Sequence, residues 1–163
     1  MTLLATTARV RAALALTLML VLAGCGNSGP VKAPSISVTV KGIETSVPAA
    51  VYCIDNKAQL SAKSPEPIVV GAQEKVTINV PKAVAARTWS IEVWSVEQNT
   101  SGKPVPAREI GNIVVGKSTS YDKITTSDAV PNQFYLIVTI PQESACNAAA
   151  NAGLWPILII RQS

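Results

Sequence analysis

The stretch Lys75-Val76-Thr77-Ile78-Asn79-Val80 decides the fold class of this chain. Its apolar side chains stand at every second position, and polar side chains stand between them. Because successive side chains of a β-strand point to opposite faces, this period of two predicts a half-buried strand. We expect its three apolar side chains to lie in a core and those of Lys75 and Thr77 to be exposed.

Short apolar runs with turn residues between them continue on both sides of this strand. Many half-apolar strands in one chain are best buried by packing two sheets face to face. The sequence therefore predicts an all-β fold: a single β-sandwich over residues 35–163, with immunoglobulin-like topology expected. The further strands are expected at Ile36–Val40, Ile43–Val47, Ala50–Asp55, Ile68–Val70, Trp89–Glu97, Ile110–Val115, Thr119–Ile124, Phe134–Ile140 and Leu154–Ile160.

The run Trp89–Glu97 changes phase, because its apolar residues move to the opposite face after Val93. Such a change predicts either a β-bulge near Val93 or a strand that is apolar on both faces. Tryptophans in a sandwich are usually core residues, and this is our interpretation of Trp89, Trp94 and Trp155. The alternative is a ligand platform, for which Trp94 is the best candidate because it breaks the phase.

The remaining elements predicted by the sequence are one strand pair, one loop and one helix. Ile110–Val115 and Thr119–Ile124 are expected to pair across a turn at Gly116-Lys117. The polar segment Gln59–Glu66 is expected to be a loop. The alanine-rich segment Ala145–Ala152 is the only plausible helix, although asparagines interrupt it.

Residues 1–24 have the pattern of a secretory signal peptide. Arg9 and Arg11 form a basic segment without acidic residues, and the apolar run Ala12–Ala23 follows. As a helix this run would span about 18 Å, which is short of the roughly 30 Å hydrocarbon core of a bilayer. We therefore expect a cleaved signal rather than a permanent transmembrane helix.

The signal ends in Leu22-Ala23-Gly24-Cys25, which resembles the bacterial lipobox. This resemblance implies cleavage before Cys25 and attachment of lipid to its sulfur. The alternative is an ordinary secreted protein with a chance cysteine. Residues 25–34 then comprise the lipidated cysteine and a flexible tether rich in glycine and proline. The expected location is the cell membrane, with the domain anchored by lipid on its extracytoplasmic side and the membrane as a partner through Cys25.

Lipidation of Cys25 leaves Cys53 and Cys146 as the remaining cysteines. Because exported compartments permit disulfides, we predict a Cys53–Cys146 bridge, with free thiols as the alternative. Two geometries stay open. The bridge either joins strands on facing sheets or staples the loop after Phe134–Ile140 to a sheet edge.

The composition argues against several classes of function. The chain has no histidine, which removes the commonest general base and metal ligand. Without the segment containing Arg9 and Arg11 it holds 12 basic and 10 acidic residues, and its lysines are scattered. We therefore expect no enzymatic activity, no metal site, no cofactor and no nucleic-acid partner.

Three short motifs carry a family resemblance: Val51-Tyr52-Cys53, the pattern Val-x-Ile-x-Val-Pro at Val76–Pro81, and Trp89. In these the chain resembles a family of uncharacterised actinobacterial lipoproteins that contain a domain of unknown function. The resemblance implies an envelope lipoprotein and assigns no site residue.

The expected function is that of a non-catalytic binding or interaction module. The expected partner is an envelope protein, a glycan or a lipid. The sequence does not identify which of these it is, and it does not identify the ligand-binding residues. The alternative is a carrier of a lipid or another hydrophobic ligand, suggested by the very apolar runs Phe134–Ile140 and Leu154–Ile160. An internal cavity would favour the carrier, and a filled core would favour the module.

The lipid anchor can be tested directly. Mass spectrometry of the native protein should find a mature N-terminus at Cys25 carrying acyl chains. Cys25→Ala should release the domain from membranes or leave an unprocessed precursor. A stable mature protein that retains Arg9 and Arg11 and has an unmodified Cys25 thiol would contradict the prediction.

Overall fold

A computed structural model describes residues 32–127, 131–142, 146 and 149–162. The predicted signal peptide, Cys25 and the tether up to residue 31 lie outside the described residues. Within the described part of the chain, no helix is both long enough and apolar enough to cross a membrane.

The described chain is almost entirely β-strand, and its strands form two sheets. The four-stranded sheet has the order β2-β1-β6-β9, and the larger sheet has the order β4-β3-β11-β10-β7-β8 with β5 added beside β11. The elements are β1 (Ile36–Val40), β2 (Ile43–Val47), β3 (Val51–Ile54), β4 (Lys57–Leu60), β5 (Ile68–Val70), β6 (Lys75–Asn79), α1 (Lys82–Ala85), β7 (Trp89–Gln98), β8 (Pro104–Gly116), β9 (Ser120–Thr125), β10 (Gln133–Pro141) and β11 (Asn151–Arg161).

One hydrophobic core lies between the two sheets, so the predicted β-sandwich is confirmed. Its largest fully buried side chains are Trp89, Trp155 and Phe134, which come from β7, β11 and β10 of the seven-stranded sheet. Valines and isoleucines of β1 and β6 face them from the four-stranded sheet. Two of the three tryptophans are therefore core residues, as predicted.

Strand β6 has the burial pattern that its sequence predicts, with one exception. Val76 and Ile78 are 0 % exposed and Val80 is 5 % exposed, whereas Lys75 is exposed. Thr77 is half-buried rather than exposed. The reason is its position: β6 is an inner strand, and Thr77 stands opposite Thr39 of β1.

Strand β7 is apolar on both faces, which is the second of the two alternatives predicted for its change of phase. Its pairing with β8 shifts register between Val93 and Trp94 and again between Trp94 and Val96, but the extra residues lie in β8. Strand β7 itself pairs with β10 without a register shift, so its side chains alternate regularly between the two faces. Trp94 consequently packs with side chains outside the main core.

The predicted pairing of Ile110–Val115 with Thr119–Ile124 is wrong. The first run belongs to β8, which pairs with β7, and the second belongs to β9, which pairs with β6 in the other sheet. Gly116, at a φ of +84°, does begin a turn, but the chain then crosses between the sheets. The indole N–H of Trp89 donates to the carbonyl of Ser118 at 2.8 Å and helps to fix this crossing.

Two further expectations need correction. Gln59 and Leu60 lie in the edge strand β4, which forms a hairpin with β3, so the loop predicted over Gln59–Glu66 begins later. Asp55 and Asn56 both have positive φ, as a tight two-residue hairpin turn requires. The predicted helix over Ala145–Ala152 is wrong for the described residues of this range, because Cys146 is not helical and β11 begins at Asn151.

Trp155 connects the core to the segment that precedes β1. Its indole N–H donates to the carbonyl of Pro34 at 2.9 Å, and Ala33 packs against the core. A Cβ atom at Gly153 would lie 2.6 Å from the Trp155 ring, so this position needs glycine for the ring to fit. The ordered domain thus includes the last residues of the predicted tether.

Truncation of the β6 core should be costly. Ile78→Ala should lower the free energy of unfolding by about 2–5 kcal/mol, because it leaves a cavity at a fully buried position. Thr77→Ala in the same strand is the matched control and should have a much smaller effect. Urea unfolding followed by tryptophan fluorescence measures both. A near-neutral Ile78→Ala variant would contradict the assigned core.

Candidate binding surface

The outer face of the seven-stranded sheet combines apolar and polar side chains in ordered rows. The strands β11, β10, β7 and β8 place residues opposite one another across this face. The first row is Leu158, Tyr135, Trp94 and Glu109; the second is Pro156, Ile137, Glu92 and Asn112; the third is Leu154, Thr139, Ser90 and Val114. We call this set of twelve residues the outer face. It is mainly apolar on β11 and becomes mainly polar toward β8.

A second hydrophobic cluster, separate from the main core, occupies the apolar half of the outer face. Tyr135, Ile137 and Leu158 are 3–6 % exposed, and half-buried side chains, Trp94 and Leu154 among them, pack around them. The Tyr135 hydroxyl donates to the carbonyl of Pro104 at 2.9 Å. Burial raises the pKa of Tyr135 above its usual value, so the phenol is neutral at physiological pH. An outer sheet face is ordinarily polar, so this cluster is unusual.

Glu92 stands at the boundary between the apolar and polar halves. One carboxylate oxygen accepts the indole N–H of Trp94 at 2.9 Å, and the other accepts the hydroxyl of Thr139 at 3.3 Å. The Ser90 and Thr139 hydroxyls share a hydrogen bond of 2.9 Å. Thr139 is 2 % exposed and Glu92 is half-buried. The network therefore holds an oriented acceptor beside an aromatic ring.

Regular alternation along β7 places Trp94 in this surface, on the same face as Ser90 and Glu92. Its indole lies with the second cluster, on the opposite side of the sheet from Trp89 and Trp155. Trp94 therefore departs from our interpretation of all three tryptophans as core residues, and it is the one that the alternative singled out. Whether it contacts a ligand stays a prediction.

A recess lies at the rim of the sandwich, where the strand beside β11 changes from β3 to β5. On one side β11 pairs with β3 at Gly153 and Leu154 and with β5 from Ile159 onward. Pro156 lies in the interval between them, where its missing N–H costs no sheet hydrogen bond. The adjoining cavity of about 250 Å³ is lined by residues 45–50, 61, 63–66, 156 and 157.

The disulfide joins Cys53 of β3 to Cys146 in the connection between β10 and β11. The Cα atoms are 5.9 Å apart, which lies in the usual range for a bridge. Of the two geometries left open by the sequence, the bridge has the second, because it staples a loop to the sheet near its edge. It differs from the inter-sheet bridge of immunoglobulin domains. The side-chain amide of Gln142 also donates to the carbonyl of Cys146.

Other polar groups in the described ranges serve structural roles. Thr126 donates to the carbonyl of Gly71 at 2.6 Å and accepts the Glu74 N–H at 2.9 Å, which closes the turn before β6. Lys41 lowers the pKa of Glu74 by a hydrogen-bonded ion pair, and Lys75 lowers that of Asp122 in the same way. Among the residues described, no group of three potential ligands could hold a metal ion.

A family model described as a protein of unknown function, DUF2771, matches residues 29–127, which is more than half of the chain. The chain belongs to the DUF2771 family. The match to DUF2771 begins before β1 and covers the strands up to β9, so it includes Trp94 and Glu92. No curated protein and no solved structure shows significant similarity to this DUF2771 chain.

Sequence reasoning missed most of the outer face of this DUF2771 domain. The sequence indicated the position of Trp94, because this apolar residue stands where the alternation of its strand predicts a polar one. It gave a weaker indication for Tyr135 and Thr139, which alternate with the core residues of the run Phe134–Ile140. It gave no indication for Glu92, because its hydrogen-bond partner Thr139 is 47 residues away in the chain.

Reduction of the Cys53–Cys146 bridge should weaken the domain without unfolding its sheets. The bridge spans 93 positions, and closing a loop of that length is worth about 4–5 kcal/mol in the chain-entropy model. Urea unfolding with and without reductant measures the loss. The double variant Cys53→Ser, Cys146→Ser is the control and should not respond to reductant. Equal stability of the oxidised and reduced forms would contradict the prediction.

Proposed function

We propose that this protein is a lipoprotein of the cell envelope, held by lipid on Cys25 at the extracytoplasmic side of the membrane, and that its sandwich is a non-catalytic binding module. The observation that carries the proposal is the composition of the outer face. Half-buried Trp94 and Leu154 and the 75 % exposed Val114 lie on the same sheet face as the hydrogen-bonded Glu92. Accessible apolar side chains rimmed by polar groups are typical of an interaction site.

The geometry of the outer face suits recognition better than chemistry. Glu92 is occupied by hydrogen bonds from Trp94 and Thr139, and the chain supplies no histidine to act beside it. Sheet strands hold these side chains in fixed positions, so little conformational freedom is lost when a partner binds. Trp94 supplies a large, rigid contact with a polar tip, the kind of residue that dominates interface energies.

The packing of the apolar strands favours the module over the carrier of a hydrophobic ligand. The apolar side chains that suggested a carrier divide between two packed clusters. Phe134, Leu136, Val138 and Ile140 of β10 enter the main core, and Tyr135 and Ile137 enter the second cluster. The cavity at β11 lies at the rim of the sandwich rather than between the sheets.

The predicted lipid anchor and the family resemblance support the proposed envelope location. The sequence around Cys25 resembles a lipobox, and the motifs from Val51 to Trp89 resemble those of actinobacterial lipoproteins. The disulfide is consistent with this location, because such bridges form in oxidising compartments.

Site-specific photo-crosslinking tests the outer face in producing cells. A photoreactive residue at Val114, which is 75 % exposed on the outer face, should give an adduct of defined mass with an envelope protein, glycan or lipid. The same residue at Leu60, which is 76 % exposed on the edge strand β4, is the matched control and should not give that adduct. Trp94→Ala should reduce the adduct from position 114.

The effect of Trp94→Ala on the adduct is interpretable only if the purified variant keeps the circular dichroism spectrum of a β-sheet protein. If the adducts from positions 114 and 60 are the same, or if the adduct at 114 does not depend on Trp94, the outer face is not the binding site.

A further inference from the structure

Several exposed cations lie at one end of the sandwich, which we call the entry end. It is defined by the start of β1 and β7, the end of β6 and β8, and the connections beside them. The N–H of Val80 donates to the carbonyl of Thr119 at 2.9 Å, and the Trp89 indole contacts Ser118. Trp155 holds Pro34, just before β1, from within the core of this domain.

These contacts place three exposed lysines at the entry end. Lys82 begins α1, which follows β6, and Lys117 lies in the connection held by Trp89. Lys32 lies two residues before Pro34.

Two exposed carboxylates lie at or near the entry end among the residues described: that of Asp55 and that of Glu44, which lines a recess with Ser35 and Pro81. Asp55 shares its hairpin turn with Lys57, so the two charges offset each other. Glu92 lies farther along β7 and is engaged by Trp94. At the opposite end, acidic residues alternate with basic ones: Glu74 pairs with Lys41, and Asp122 pairs with Lys75.

We infer that the entry end docks on the anionic headgroups of the membrane that carries the lipid anchor, and thereby orients the domain. This inference rests on the proposed anchoring at Cys25. The chain between Cys25 and the fixed Pro34 reaches about 30 Å when fully extended. With an anchor at Cys25, this length lets the end that Trp155 ties to Pro34 lie against the membrane surface.

Electrostatics make such docking favourable at short range. Lysines close to an anionic lipid surface each attract it, and the attraction fades within a Debye length of about 8 Å at physiological salt. Each lysine should contribute about a fivefold factor to the ratio of docked to undocked domain. Docking by the entry end leaves the outer face, which runs along the length of the sheet, open to a partner.

Energy transfer from a labelled domain to an acceptor in the membrane surface measures the orientation. The full-length lipidated protein is reconstituted into phosphatidylcholine vesicles with and without phosphatidylglycerol. A donor at Thr119→Cys reports on the entry end, and a donor at Ser101→Cys, in the β7–β8 turn, reports on the opposite end. Both positions are exposed. Phosphatidylglycerol should raise energy transfer from position 119 and not from position 101, and high salt should remove the increase.

Charge variants provide the matched comparison. The double variant Lys82→Gln, Lys117→Gln should lower the docked-to-undocked ratio about 25-fold and abolish the response to phosphatidylglycerol. Lys103→Gln removes an exposed lysine at the opposite end and should leave the response unchanged. Energy transfer that ignores lipid charge, or that is unchanged in the double variant, overturns the inference.

Flotation of the same vesicles in high salt separates this inference from the proposed anchoring. Protein that floats in high salt but shows no effect of lipid charge on orientation contradicts the docking alone. Protein that does not float has no lipid anchor, and this result overturns both proposals.

Discussion

The pairing of β10 with β11 is the contact on which the rest of the domain depends. The two strands stay in register from Gln133 opposite Ile160 to Ile140 opposite Gly153, at the centre of the seven-stranded sheet. Their inner side chains, Phe134 and Trp155 among them, form much of the main core. Their outer side chains, Tyr135, Ile137 and Leu158, form the second cluster. One strand pair therefore shapes both the stability of the fold and the surface proposed for binding.

The fold class could be predicted because a half-buried strand must alternate. The run at Lys75–Val80 became a strand for that reason, whereas the runs at Phe134–Ile140 and Leu154–Ile160 are continuously apolar because those strands are covered on both faces. Strand β4 was missed because its residues are mostly exposed and show no alternation. The partners of β8 and β9 were missed for a different reason. Gly116 shows that the chain turns, but it carries no information about which sheet the chain enters next.

The candidate site could be predicted only where it disturbed a local pattern. Trp94 interrupts the alternation of β7, so the sequence indicated that it stands apart from Trp89. The contacts of Glu92 with Thr139 and of Tyr135 with Pro104 depend on strand register over long chain separations, which a single sequence does not reveal. The disulfide was predictable from the cysteine count and the expected compartment, but its staple geometry depended on where β10 ends.

The late position of β10 and β11 in the chain has a consequence for biogenesis. Within the described chain β11 is the last strand, and it is the neighbour of β3, β5 and β10. The larger sheet therefore cannot assemble until β11 has been synthesised. A chain exported during or soon after synthesis would lack the completed sheet, and so could pass through a translocation channel unfolded, until β11 follows. Closure of the Cys53–Cys146 bridge would then accompany completion of the sheet, since Cys146 lies just before β11 in the chain.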